Sequence, residues 1–431
     1  MTKARWITLT ASSLLGVAVL IADDSDLKNI ITGEAAFGDF TSQSPGTVRK
    51  ITVADLPKPF ATKGVANDAK MVSRPADAWP KAPEGFKVEL YAGNLPEPRE
   101  IRRAPNGDLF VAETYAGKVE IFRGVKDGKP EQRSLFAKGL KNNFGIAFYP
   151  PGDNPQWVYF GNTNSVVRYP YHNGDLQATG PSQTIIPKLA PSTGGHTTRD
   201  LAFSPDGSKL FVSVGSGSNI DDPDTHSREF HRANILEFTP DGKFVKVYAS
   251  GIRNPVGIAI NPVTGQLWCS VNERDMIGDN LVPDYITSVK EDGFYGWPWY
   301  YIGNHHDPRL PEKPELGAKA IVPDVLLRAH NASLEMTFYD GSQFPPQYKG
   351  DVFAAEHGSW NRSSRTGYEV IRAPLDNGHA KGEYEDFVTG FVNADGTVWG
   401  RPVGVAVASD GSLMVTDDGS KSIWRVSYTG K

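Results

Sequence analysis

From Pro83 onward one unit recurs along the chain. A short strand ends in glycine plus an apolar residue, and two apolar runs joined by a turn follow it. The openings read ELYAGNL from Glu89, LFAKGLK from Leu135, VYASGIR from Val247 and DFVTGFV from Asp386. The runs after them are REIRRAPNGDLFVAET, FGIAFYPPGDNPQWVYFGN, RDLAFSPDGSKLFVSVG, VGIAINPVTGQLWCSVN, LEMTFYDGSQFPPQYKGDVFAAEHG and VGVAVASDGSLMVTDDG. These six copies recur at roughly 45- to 80-residue intervals, the range of propeller blades or longer where loops are inserted. Runs this short, alternating or wholly apolar, suit strands buried between layers. The pairs Asn106-Gly107, Asp206-Gly207 and Asp410-Gly411 supply the positive φ of a tight hairpin. A unit of this size cannot bury both of its faces, so the copies must stack around an axis. The expected fold is all-β, a six-bladed β-propeller. KVELYAGNL has no first half of its own and is expected to close the ring as the outer strand of the last blade.

Composition agrees with many short strands and turns: 44 glycines, 32 prolines and nine tryptophans in 431 residues. A net charge of −5 gives no basic field, which argues against a nucleic-acid partner. A single cysteine, Cys269 in GQLWCSV, excludes an internal disulfide and any cysteine-based zinc or haem motif and reads as a buried strand position. Lys3 and Arg5 precede an apolar run from Trp6 to Ala22, the pattern of a signal peptide or an uncleaved membrane anchor over residues 1–22. The body is therefore expected to be soluble and exported, periplasmic or otherwise outside the cytoplasm, with membrane association through the N-terminus only. Residues 23–82, rich in Pro, Ala, Ser and Thr, are expected to lie extended over a propeller domain spanning 83–431.

Fold alone assigns no function. In a propeller the loops that lead into the inner strands converge on the channel axis. In chain order these carry Asn142 and Asn143, His196 with Arg199 and Asp200, Arg253 and Asn254, His330 and Asn331, and Trp399 with Arg401. Imidazoles, guanidiniums and amides at one channel mouth suit a flat anionic ligand held beside a hydroxyl-bearing one.

Five motifs carry a resemblance: GGHTTRDLAFSPDG at Gly194, GIRNPVGIAI at Gly251, NERDMIGDNL at Asn272, EDGFYGWP at Glu291 and WGRPVGVAVASDG at Trp399. Their order and spacing resemble the glucose/sorbosone dehydrogenase family of soluble quinoproteins, which oxidise sugars with pyrroloquinoline quinone (PQQ) held with calcium. ITGEAAFGDF near the N-terminus is similar to the sorbosone branch. The resemblance implies a general base at His196 and an arginine, Arg253, against a PQQ oxygen, assisted by Asn254. It implies further cofactor contacts at Asn272 and Arg401, with Trp360 and Arg362 as candidates in a fifth-blade loop where the family's lysine is replaced. By the same resemblance the carbonyls of Glu273 and Arg274 hold the calcium, and Asp279 with the carbonyl of Tyr295 would serve a second one. The chain departs from the family at Gly195, where an aspartate would orient the imidazole, and at Glu273-Arg274, where Gly-Pro is common.

The resulting expectation is oxidation of an aldose or sugar aldehyde, with a separate electron acceptor. Two other classes compete: a calcium-dependent lactone hydrolase, which would not need Arg253, Asn254 or Arg401, and a non-catalytic binding propeller. Substrate choice is expected to fall to the long loops 221–232 and 301–332.

Overall fold

The computed structural model describes residues 30–430; the leader expected over 1–22 and the start of the extended segment lie outside them. Each repeat forms a four-stranded antiparallel sheet. Blade one is built from Pro98–Arg103, Leu109–Glu113, Lys118–Arg123 and Gln132–Lys138. Blade two takes Ile146–Tyr149, Trp157–Asn162, Ser165–Pro170 and Gln183–Ile186; blade three takes Leu201–Phe203, Leu210–Val214, Asn234–Phe238 and Phe244–Ser250. Blade four has Asn254–Ile260, Leu267–Asn272, Pro283–Ser288 and Val325–Ala329. Blade five has Ser333–Phe338, Val352–Glu356, Glu369–Ala373 and Glu383–Val388. Blade six combines Pro402–Val407, Leu413–Asp417 and Ser422–Tyr428 with Phe86–Ala92 from the other end of the chain. That last strand pairs Phe86 with Tyr428, Val88 with Val426 and Leu90 with Trp424, and so closes the ring as expected. The fold is the six-bladed β-propeller. Among the described residues the one α-helix is the single turn Pro314–Gly317.

Apolar side chains fill the wedges between blades. Phe110, Phe136, Phe160 and Tyr171 join blades one and two, and Tyr159, Leu201 and Val212 join two and three. Cys269 is buried in blade four, as its sequence context implied. In the hairpins only the glycines take positive φ, at 93° for Gly107, 70° for Gly207 and 83° for Gly411. Asn106, Asp206 and Asp410 instead accept a hydrogen bond from the N–H two residues on, which fixes the turn through the side chain.

The six inner strands carry a second, finer alternation. At equivalent positions they hold Glu100, Gly145, Asp200, Gly257, Glu335 and Gly404. A Cβ at Gly145 would stand 2.6 Å from the Cα of Asp200, one at Gly257 2.8 Å from the Cα of Glu335, and one at Gly404 2.3 Å from the Arg99 carbonyl. The glycines of blades two, four and six thus admit the backbones of one, three and five, whose carboxylates converge in the channel. The guanidinium of Arg102 lies 2.7 Å from Glu100, 3.1 Å from Asp200 and 3.2 Å from Glu335. One step nearer the loop end, Phe144, Val256, Leu334 and Val403 pack together as an apolar plug.

The segment before the propeller lies extended on it. Thr47–Lys50 pairs with Glu383–Val388 as an added outer strand of blade five, and Arg49 forms a fully buried ion pair with Asp386 at 3.0 Å. Met71 bridges to Val398, and Lys81 to Thr389.

Candidate active site

Beyond the apolar plug, the loops of blades three to six enclose a cavity of about 280 Å3. It is lined by His196, Arg253, Asn272, Glu273, Asp275, Asp284, His330, His357, Trp360 and Arg401, with Leu334 of the plug among its walls. Seven of the side chains singled out from the sequence, those of His196, Arg253, Asn272, Glu273, His330, Trp360 and Arg401, therefore share one space.

His196 stands in the loop before the inner strand of blade three. Its Nδ1 lies 3.0 Å from the Ser216 carbonyl oxygen. A carbonyl only accepts, so Nδ1 carries the proton, and Nε2 keeps its lone pair. Burial, followed by the charge of Arg253, pushes the imidazole pKa down to about 3, so the ring is neutral across the physiological range. The orienting partner that the missing aspartate left open is thus a backbone carbonyl. Asp200, near His196 in sequence, points into the channel toward Arg102 instead.

Arg253 is 5% exposed and fully engaged. It donates to the Glu273 carbonyl at 2.7 Å, to Asn219 Oδ1 at 3.1 Å and to the Asp275 carboxylate at 2.7 Å. Burial alone would raise the Asp275 pKa; Arg253 and His330 outweigh it and hold the carboxyl below its ordinary range. Beside it Asn254 donates to Asn272 Oδ1 at 3.1 Å, while its own buried Oδ1 has no partner among the described residues. A Cβ on Gly215 would fall 2.1 Å from that oxygen and 2.7 Å from the His196 Cβ, so the glycine in VGSGSN makes room for both.

The opposite wall comes from blades five and six. His357 Nε2 donates to Asp418 at 2.9 Å, and Arg99 pairs with the same carboxylate at 2.5 Å. Burial and the Arg401 charge push His357 down to about 4, against the pull of Asp418. Arg401 gives its Nε to the His357 carbonyl at 3.1 Å, and its terminal nitrogens bond to none of the described residues. Trp360, 41% exposed, stands at the rim.

Oxygen donors cluster on the blade-four side. The Asp284 carboxylate accepts from the backbone N–H of Glu273 at 2.7 Å and of Ala332 at 2.6 Å, which pins the Glu273 backbone, and burial pushes its pKa up to about 7. Carbonyl, amide and carboxylate oxygens are what a hard cation such as calcium takes. The Glu273 carbonyl spends one lone pair on Arg253 and retains the other.

The chain matches the TrAA12-like family over residues 80–290 and 316–429. It belongs to that family. The TrAA12-like chain is 30% identical to an uncharacterized protein of Borreliella burgdorferi over 359 residues, 81% of this chain and 90% of that one. It is 25% identical over 405 residues to a pyrroloquinoline quinone-dependent pyranose dehydrogenase of Coprinopsis cinerea, covering 79% of this chain. It spans about half that enzyme's length, 53%. The holo form of the PQQ domain of a Coprinopsis cinerea pyranose dehydrogenase superposes with a TM-score of 0.68 at 22% identity, over 83% of this chain and all of that domain. The resemblance to the quinoprotein sugar dehydrogenases holds at this family level.

The side chains of five residues singled out from the sequence of this TrAA12-like chain, Arg362, Asp279, Tyr295, Arg274 and Trp399, lie apart from the cavity. Arg362 turns toward the N-terminal segment, donating to the Phe37 carbonyl and to Asn280 Oδ1 at 2.8 Å. The Asp279 carboxylate accepts from the Ser363 N–H at 3.0 Å and from its hydroxyl. Tyr295 is a core residue whose hydroxyl donates to the Ser288 carbonyl at 2.8 Å; its own carbonyl, the atom expected at the second calcium, takes no part in that bond. The Arg274 side chain is buried away from the cavity, donating to the Tyr300 carbonyl at 2.6 Å and paired with Glu273 at 3.0 Å; its carbonyl, the atom expected at calcium, takes no part in these bonds. Trp399 fills the core between blades five and six. Three residues escaped sequence reasoning: Asn219, which bonds both Arg253 and Asp275, Asp418 and Arg99. VTDDG was legible as a strand end, but nothing in it marks which aspartate holds His357.

Proposed function

We propose that this protein oxidises a small sugar or sugar aldehyde, sorbosone-like in class, by hydride transfer to calcium-held PQQ, with His196 as general base. One observation carries the proposal: a neutral imidazole with a free Nε2 opens onto a cavity walled by two arginines, of which Arg401 keeps its terminal nitrogens without a partner among the described residues. The named activity of the Coprinopsis relative supports it. Bound PQQ would supply a quinone that accepts two electrons with the substrate's hydride. Arg401 has the free nitrogens to bind a PQQ carboxylate, Asn254 supports the wall by donating to Asn272, and the Glu273 carbonyl, Asn272 and Asp275 offer oxygens to calcium. His196 Nε2 takes the hydroxyl proton as the C–H bond breaks, and the Ser216 carbonyl stabilises the imidazolium that forms. Arg253 faces growing negative charge, its own charge already shared with Asp275.

The leader-like N-terminus supports export to the periplasm or another extracytoplasmic space, where a separate acceptor would reoxidise the cofactor. The test is to add PQQ and calcium to purified apoprotein and assay dye reduction with aldoses and with sorbosone. Absorbance changes on PQQ addition and substrate-dependent reduction are expected; neither appearing would sink the assignment.

A further inference from the structure

The loop 273–282 carries the acidic wall of the cavity, and the loop 357–367 carries His357 and Trp360. A stretch of the N-terminal segment, residues 60–68, bonds to both. The Phe60 N–H donates to the Ile277 carbonyl at 2.7 Å, and Thr62 Oγ1 accepts from the Asp279 N–H at 2.7 Å. Gly64 lies so close to Met276 that a Cβ there would stand 2.9 Å from the Met276 Cα. On the other side the Asn67 N–H donates to the Trp360 carbonyl at 2.6 Å. The Asn67 side chain donates to the carbonyls of Arg362 at 3.0 Å and Ser363 at 3.1 Å. The two loops also meet directly, through the Met276 N–H to Asn361 Oδ1 at 2.8 Å and through Asp279 to Ser363.

Met276 holds φ at 73°, a left-handed conformation that a side-chain-bearing residue keeps only where its surroundings fix it. It lies three residues beyond Glu273, at the point where strap and Asn361 both grip the loop. From below, the same loop is braced by residues 297–309. Arg309 donates to the Asp275 carbonyl at 2.8 Å, and Arg274 reaches the Tyr300 carbonyl. Residues 60–68 and 297–309 both fall outside the two stretches that match the family, 80–290 and 316–429. Both segments converge on one loop.

We infer that residues 60–68 are a strap that ties loop 273–282 to loop 357–367 and sets the geometry of the cavity wall for cofactor uptake. Thr62, Gly64 and Asn67 are positioning residues: they act through the Glu273–Asp275 backbone and through Trp360. The inference rests on the proposed PQQ function for its consequence, and on backbone contacts for its structure.

The test uses the full chain, first as apoprotein and then with PQQ and calcium. Thr62→Val removes the acceptor of the Asp279 N–H, Gly64→Ala wedges the strap off Met276, and Thr62→Ser restores the acceptor. Amide exchange in peptides covering 273–282 and 357–367 should rise several-fold in the first two variants and return to the wild-type rate in Thr62→Ser. The apparent Kd for PQQ, read by absorbance titration at saturating calcium, should weaken by about three- to ten-fold, the size of one lost hydrogen bond. The apoprotein Tm should barely move. Unchanged exchange in both loops, or exchange raised evenly around the ring, overturns the inference. If wild type takes up no PQQ, the proposed function fails, and the strap is decided by the exchange data alone.

Discussion

At the scale of single residues, the site depends on which atoms are left without partners. His196 is useful as a base because Ser216 presents an oxygen that accepts and cannot donate, which fixes the tautomer. His196→Ala should lower kcat by about 10²- to 10⁴-fold, the usual worth of a positioned acid–base group, with PQQ binding retained. Loss of PQQ binding instead would reassign the histidine to a ligand role. Because burial and Arg253 depress this imidazole to about 3, its base form persists well below the ordinary pKa of about 6.5. The acid limb of kcat/KM should therefore fall below pH 6, and a limb centred at 6.5 would show that His196 is not the group being titrated. The same depression makes the folded state bind fewer protons than the unfolded one between those two values, so this group's contribution to stability declines as pH falls through them. Gly215 tests the geometry independently. An added methyl would strike Asn254 Oδ1 and the His196 Cβ at once, so Gly215→Ala should lower PQQ affinity and kcat together. If only one of the two falls, Asn254 and His196 do not belong to one site.

At the scale of elements, the strands were legible and the loops were not, for a physical reason. Strand identity is written locally, in the two-residue alternation of runs such as RDLAFS and VGIAIN and in the glycine that each hairpin requires. Ring closure by Phe86–Ala92 followed from counting, since that strand had no hairpin partner nearby and blade six lacked an outer strand. The cavity positions of His196, Arg253, His330 and Arg401 followed because loops entering inner strands must converge on an axis, whereas Asn272, Glu273 and Trp360, at the ends of second strands or in the loops after them, were implied by the family resemblance. Arg362 and Asp279 could not be placed this way: their partners, Phe37 and Thr62, come from a segment with no periodicity, some three hundred and two hundred residues distant. The closing strand gives the prediction proper to this scale. A chain beginning at residue 93 would expose Ser422–Tyr428 as an unpaired edge, a template for intermolecular pairing. On a sizing column it should elute as aggregate where the full chain does not. Elution as a single folded species with the full chain's near-ultraviolet spectrum would mean that the ring closes without this strand.

At the scale of the whole molecule, the alternation of acid and glycine around the inner ring gives the six blades a three-fold character and concentrates charge on the axis. Glu100, Asp200 and Glu335 bring three carboxylates to one guanidinium, that of Arg102. Desolvation, then the neighbouring carboxylates, pushes Asp200 up to about 8 and Glu335 well above its ordinary range, with Arg102 only partly opposing. In the unfolded chain both groups ionise near pH 4. The native state therefore holds more protons than the unfolded state from about pH 4 to 8, and this part of its stability declines as pH rises through that window. Glu335→Gln removes one such ionisation while keeping shape and polarity. Its Tm, followed by calorimetry of the apoprotein, should fall less than the wild-type Tm between pH 6 and pH 9. At pH 9 the variant should be the more stable of the two. The opposite result, a variant that loses stability most at high pH, would mean that Glu335 is ionised in the native ring and that Arg102 depends on its charge.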